Sequence, residues 1–134
     1  MKQKLKKGVG DKISMVSGGW TFNKIEKKFD GHIKKSIPYY EDIHDITLKL
    51  SEFYNIKDAI FLDIGCSTGT LINKFSNKYP VKDFSIKFIG VDTEKGMIKE
   101  ARKKNKDKRT QFYNNNFLKT NFKNISFASS IFTM

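Results

Sequence analysis

Apolar residues recur along this chain at two different periods. Phe22, Ile25 and Phe29 stand at helical spacing, which predicts a helix over 21–29, and Asp30-Gly31 reads as its end. Pro38 suits the first turn of a second helix running to about Tyr54, with Ile43, Ile46, Leu48, Leu50 and Phe53 as its apolar positions. After Asn55 the texture changes. Ala59-Ile60-Phe61-Leu62 is a short unbroken apolar run, as in a strand buried on both faces, and it leads into Asp63 and a turn of small residues. Leu71, Ile72 and Phe75 return to helical spacing as far as Pro80. Phe84, Ile86, Phe88, Ile89 and Val91 predict a second strand ending at Asp92. Met97, Ile98 and Ala101 predict a helix that dissolves into the polar run 103–106. Gln111 to Tyr113 reads as a third strand and Ile125 to Thr133 as a fourth. The gap between them is too short for a full helix, so a loop or a short turn around Asn121 must make that crossover.

Two helices followed by strand–helix–strand–helix–strand–strand predict an α/β, Rossmann-like architecture with parallel pairing and helices packed on the sheet. A length of 134 residues holds one domain. Residues 1–18 are polar, lysine-rich and punctuated by glycine, which reads as a flexible basic arm ahead of a single domain over 19–134.

The stretch Asp63-Ile64-Gly65-Cys66-Ser67-Thr68-Gly69-Thr70 sits where a buried strand turns into a helix. Glycine there allows a tight bend and the close approach of a ligand. The dinucleotide fingerprint G-x-G-x-x-G fails at two of its three positions. The acidic-x-G-x-G-x-G pattern of S-adenosylmethionine sites fits better, as Asp63, Gly65, Ser67 in place of the middle glycine, and Gly69. Such sites need an acidic group near the amino end of the methionine. Asp92, closing the next strand, supplies the carboxylate that accepts ribose hydroxyls in Rossmann-type sites. Cys66 reads as a small buried residue rather than a nucleophile, because no histidine lies near it in sequence. His32 and His44 fall on the N-terminal helices without ligand spacing, as surface or helix-packing residues, so no metal site is expected.

The net charge of +12 raises the question of nucleic acid. Of 26 Lys and Arg residues, however, only Arg102 and Arg109 are arginine, whereas bidentate recognition of bases or phosphates favours the guanidinium. A non-enzymatic RNA-binding module reading its partner through the basic span from Lys95 to Arg109 is therefore the lesser expectation beside a solvated helix face. Lone Cys66 rules out an internal disulfide and fits a cytoplasmic setting. No run approaches the ~20 apolar residues of a membrane span.

Several segments together resemble the carboxy-S-adenosyl-L-methionine synthase family: Gly18-Gly19-Trp20-Thr21-Phe22, Ser36-Ile37-Pro38-Tyr39-Tyr40, Asp63-Ile64-Gly65-Cys66-Ser67, Val91-Asp92 and Met97-Ile98. The resemblance implies a class I methyltransferase fold and S-adenosyl-L-methionine, or its carboxylated form, as cofactor. It also implies a reaction of that cofactor with prephenate giving carboxy-S-adenosylmethionine and phenylpyruvate, in support of tRNA wobble-uridine modification. By position it implies that Tyr40 contacts the cofactor, that Gly65, Cys66 and Ser67 line its methionine end, and that Asp92 holds the ribose. Thr93 would stand beside Asp92, and Asn116 and Phe117 would flank the adenine. The chain departs from the family pattern at Asn116, where Asp is implied, and at Ile131, where Asn is implied. An ordinary S-adenosylmethionine-dependent methyltransferase acting on a small molecule or RNA is the alternative that these departures keep open. A methyltransferase sheet has seven strands, so the resemblance covers an N-terminal half truncated after the fourth strand. That implies an edge strand and uncovered apolar area, and hence a chain that is marginal alone unless it forms a homo-oligomer or meets a complementing chain.

Overall fold

The computed structural model describes residues 28–80 and 85–133. The basic arm, the Gly18–Phe22 segment, the helical positions Phe22 and Ile25, and Phe84 lie outside the described residues. The elements run α1 (Phe29–Ser36), α2 (Tyr40–Ser51), a 3-10 turn (Glu52–Tyr54), β1 (Ile60–Ile64), α3 (Thr70–Lys78), β2 (Lys87–Asp92), α4 (Lys95–Lys104), β3 (Thr110–Asn114), a second 3-10 turn (Phe117–Lys119) and β4 (Phe127–Ser130). The four strands form one parallel sheet in the order β3-β2-β1-β4, with Ile64 paired to Val91 across β1 and β2 and to Ser130 across β1 and β4. The chain leaves β1 toward β2 and β3 on one side and reaches β4 on the other. Such a reversal beside β1 opens a crevice at the carboxyl ends of the strands.

Alternation along the strands assigns the two faces. Phe61 and Phe88 point to the α3/α4 side, where they pack with Phe75, Tyr79, Ile98 and Phe112. Phe61 is the hub of this core, with ring centroids 5.4–5.8 Å from those of Phe75, Tyr79, Phe88 and Phe127. Leu62, Ile89 and Val91 point the other way and meet Phe122 and Ile125. They are at most 7 % exposed, so the irregular segment before β4 already covers apolar area that sequence reasoning left wet.

The N-terminal helices depart from expectation. Asp30-Gly31 does not end a helix; α1 begins at Phe29 and runs through both. Asp30 belongs to its first turn, where a carboxylate complements the helix dipole, and Thr68, Thr70 and Lys104 hold it there. Pro38 lies in the turn between the helices rather than inside α2, which starts at Tyr40 after left-handed Tyr39 (φ 60°). The buried positions of α2 are His44, Thr47 and Ser51, while Ile46, Leu50 and Phe53 are exposed. Polar pins set this rotation. Lys74 of α3 bridges Glu41 and Asp45 at 2.7 and 2.9 Å, and the Ser51 and Tyr79 hydroxyls are 2.7 Å apart. β4 is shorter than the 125–133 run, bracketed by positive φ at Asn124 and Phe132, and the crossover turn falls at Phe117–Lys119 rather than at Asn121. Among the described residues no helix is long and apolar enough to cross a membrane.

Candidate functional site

The bend after β1 is held from within the sheet. The Gly65 and Cys66 amides both donate to the Val91 carbonyl, at 2.8 and 3.1 Å, and Gly69 N–H closes the turn on the Cys66 carbonyl at 2.9 Å. Gly65 (φ 71°) and Gly69 (φ 74°) adopt the left-handed conformation that favours glycine, and Ser67 (φ 51°) adopts it as well. Close approach at these glycines comes from the protein itself. A Cβ on Gly65 would collide with the Thr133 side chain, and one on Gly69 would meet Asn105 Nδ2 at 2.7 Å and the Phe112 ring at 2.9 Å. Gly90 of β2, which no sequence signal marked, leaves room for Cys66 Sγ and Phe112 in the same way.

Asp92 projects from the end of β2 beside this bend. Its Oδ2 accepts the Ser67 amide and its Oδ1 accepts the Glu94 amide, each at 2.8 Å. Each carboxylate oxygen keeps a lone pair beyond the one engaged. Asp63, 5 % exposed, accepts a 2.8 Å hydrogen bond from Ser129 Oγ. Burial pushes its pKa up to about 7, with the nearby Asp92 charge adding to the rise and the Ser129 bond opposing it. Burial also drives the Cys66 thiol far above the ordinary range, so it stays protonated and packs as a small apolar residue.

Two cavities meet at this bend. One, of about 550 Å³, runs past Gly65, Ser67, Asp92, Thr93, Met97 and Asn116, with Phe117 and Leu118 at its outer side. The other, of about 380 Å³, lies beneath α1 and α2 and is bordered by Tyr40, His44, Asp63, Cys66, Ile131 and Phe132. Gly65, Ser67, Phe29 and Phe132 border both. The residues singled out from sequence thus divide in two. Asp92, Thr93, Asn116 and Phe117 face the first cavity, Tyr40, Asp63 and Cys66 the second, and Gly65 and Ser67 form the wall between. The Asn116 side-chain oxygen accepts the Leu118 amide at 2.9 Å, capping the 3-10 turn. Burial first, then the Asp30, Glu41 and Asp63 charges, push the Tyr40 hydroxyl up to about 12, so it is a donor near neutrality.

Sequence reasoning set aside the two histidines, yet both border the second cavity. His44 is 4 % exposed, and its ring lies 4.3 Å from that of Tyr40. Burial, aided by the Lys74 charge, lowers its pKa to about 4. The spacing of His44 with Tyr40, Thr47 and Ser51 was the available signal, hidden by the more conspicuous apolar positions of α2. Among the described residues no group of three His, Cys, Asp or Glu could hold a metal ion. The two arginines serve the scaffold. Arg102 donates to the Phe112 carbonyl at 2.7 Å, and Arg109 pairs with Asp107 and donates to the Ser76 and Tyr79 carbonyls.

A family model described as a methyltransferase domain matches residues 61–134. A carboxy-S-adenosyl-L-methionine synthase from Helicobacter pylori is 33% identical over 117 residues, covering 83% of this chain and 47% of that protein. One from Staphylococcus epidermidis is 28% identical over 117 residues, covering 86% and 50%. The chain thus spans about half the length of these curated relatives. Magnesium protoporphyrin IX methyltransferase from Synechocystis PCC 6803, solved with bound SAH, superposes with a TM-score of 0.53 at 15% identity, covering 75% of this chain and 50% of that one, a likeness of fold. The glycine bend between adjacent parallel strands and the match from β1 onward make this chain a member of the methyltransferase-domain family.

Proposed function

We propose that the chain binds S-adenosyl-L-methionine across the two cavities and carries the cofactor half of an enzyme of the carboxy-S-adenosyl-L-methionine synthase type. The observation that carries this reading is the place of Asp92, beside the glycine bend and facing a cavity of about 550 Å³. Its free lone pairs suit a ribose diol. Asp63 stands on the far side of the bend, where an ammonium group would supply the countercharge that its burial lacks. Gly65, Cys66 and Ser67 would line the methionine chain between them. Thr93, Asn116, Phe117 and Leu118 would flank the adenine, and Tyr40 would face the methionine end from α2. When bound, the cofactor supplies a sulfonium-activated methyl carbon. The protein's part is to orient that carbon toward the second cavity and keep water from it.

Similarity to the named synthases supports carboxy-S-adenosylmethionine as product, and the resemblance of the sequence segments to that family implies prephenate as second reactant and a role in tRNA uridine modification. Calorimetry with S-adenosylhomocysteine tests the cofactor site; absence of binding would reject it. Mass spectrometry after incubation with S-adenosylmethionine and prephenate tests the reaction, which predicts a cofactor product heavier by one carboxyl group.

A second reading is an ordinary methyltransferase acting on a small molecule. Ile131 borders the second cavity where the synthase pattern implies Asn. Methyl transfer with no carboxylated product would select this reading.

A further inference from the structure

The carboxylate of Asp92 is oriented by the Ser67 and Glu94 amides, but its main chain is held from another strand. β2 ends at Asp92, and the chain turns away toward α4, which begins at Lys95. At this exit a side chain extends the sheet's ladder by one step. Asn114, the last residue of β3, is the register partner of Asp92. Its carboxamide nitrogen donates to the Asp92 carbonyl at 3.0 Å and to the Thr93 carbonyl at 2.8 Å. Both neighbours are acceptors, so the nitrogen rather than the oxygen must face them, and its two hydrogens serve one carbonyl each. The Asn115 backbone amide donates to the Asp92 carbonyl as well, at 3.1 Å. Asp92 and Thr93 border the first cavity, whereas Asn114 is exposed and lies outside that lining.

We propose that Asn114 is a positioning residue for the cofactor: by clamping the Asp92–Thr93 backbone to β3, it sets the direction in which the Asp92 carboxylate meets the ribose diol. The proposal rests on the reading of the first cavity as the adenosine end of the cofactor site. A hydrogen bond to a sugar hydroxyl weakens steeply with distance and angle, so a carboxylate whose main chain can pivot recognises a diol less well. Without the carboxamide, the Asp92 carbonyl keeps the Asn115 amide, while the Thr93 carbonyl is released from β3. Water competes for these bonds at an exposed side chain, so their contribution to overall stability is small. Their consequence falls instead on the geometry of the ribose contact.

The test uses the full chain, with calorimetry of S-adenosylhomocysteine and of its analogue lacking both ribose hydroxyls. The wild type is expected to prefer the parent ligand by about tenfold or more. Asn114→Ala is expected to lower affinity for S-adenosylhomocysteine by about fivefold while changing that for the analogue by less than about twofold, so the preference shrinks. Asn114→Asp, of the same shape but acceptor-only when ionised, is expected to do the same, and either variant decides the matter if the other fails to fold. Asn114→Gln, which keeps both N–H donors, is expected to restore part of the preference. Asn77→Ala removes an exposed carboxamide bond on α3, 3.1 Å to Asn73, and is expected to leave both affinities within about twofold. A wild-type preference that survives Asn114→Ala and Asn114→Asp, or an equal loss for the two ligands, overturns this inference alone. Equal binding of the two ligands by the wild type removes Asp92 from ribose recognition, and this inference with it. Failure of the wild type to bind S-adenosylhomocysteine overturns the cofactor reading and this inference together.

Discussion

Asp92 Oδ2 accepts the backbone amide of Ser67 at 2.8 Å, so the carboxylate that ends β2 also fixes the bend that ends β1. One side chain thereby sets the distance between the two halves of the proposed cofactor site. Asp92→Asn keeps the shape but removes the charge and one of the two accepted amide bonds. With charged hydrogen bonds at about 1.5–3 kcal/mol each, S-adenosylhomocysteine affinity should fall by roughly 10- to 100-fold in calorimetry. An unchanged affinity would remove Asp92 from the site.

Two glycines should respond in opposite directions. Gly69→Ala adds a methyl group to a left-handed residue and drives it against Asn105 and Phe112, which should cost about 2–4 kcal/mol. Gly31→Ala lies in α1 with nothing within 4 Å of the added carbon, and should stabilise by about 0.5–1 kcal/mol. Urea unfolding of the two variants compares them directly.

Stability should depend on pH through two buried groups of opposite sign. Asp63 binds its proton more tightly when folded, so its contribution is full below the unfolded value of 3.8 and is lost as pH rises through about 7. His44 binds its proton less tightly when folded, so its contribution is present above 6.5 and is lost as pH falls toward about 4. Between pH 4 and 6.5 the two slopes oppose each other. Asp63→Asn should leave a stability that rises with pH across that window, and His44→Gln one that falls. Denaturation midpoints at pH 4.5, 5.5 and 6.5 give both slopes; parallel profiles would contradict the assignment.

Arg109→Lys should separate scaffold from site. The guanidinium pairs with Asp107 through two nitrogens, reaches two carbonyls of α3's end, and lies 5.1 Å from the Phe88 ring centre. An ammonium cannot reproduce that fork, and about 1–3 kcal/mol of stability should be lost. Cofactor affinity should stay within twofold, since Arg109 borders neither cavity.

From β1 onward the sequence was readable because buried parallel strands and their helices are written in apolar period. Phe61-Leu62, Phe88-Ile89 and Leu71-Ile72-Phe75 each place large side chains in the core. The bend and Asp92 were legible for a related reason, since strand ends in such folds meet on one edge. The N-terminal helices were not. There Asp30 is held by partners 38 to 74 positions away, and α2 is turned by Lys74, so long-range polar contacts override the local apolar pattern. Asn116 illustrates a smaller gap. Its residue type fits an adenine contact, but only coordinates reveal that its oxygen already caps the turn carrying Phe117.

Asp30 of α1 accepts hydrogen bonds from Thr68 in the bend and from Lys104 at the end of α4. The next residue back, Phe29, borders both cavities. Roof and floor are consequently bolted together at one point. Phe29 of this short helix therefore belongs to the wall of both chambers, and a change of its side chain alters the lining of both at once.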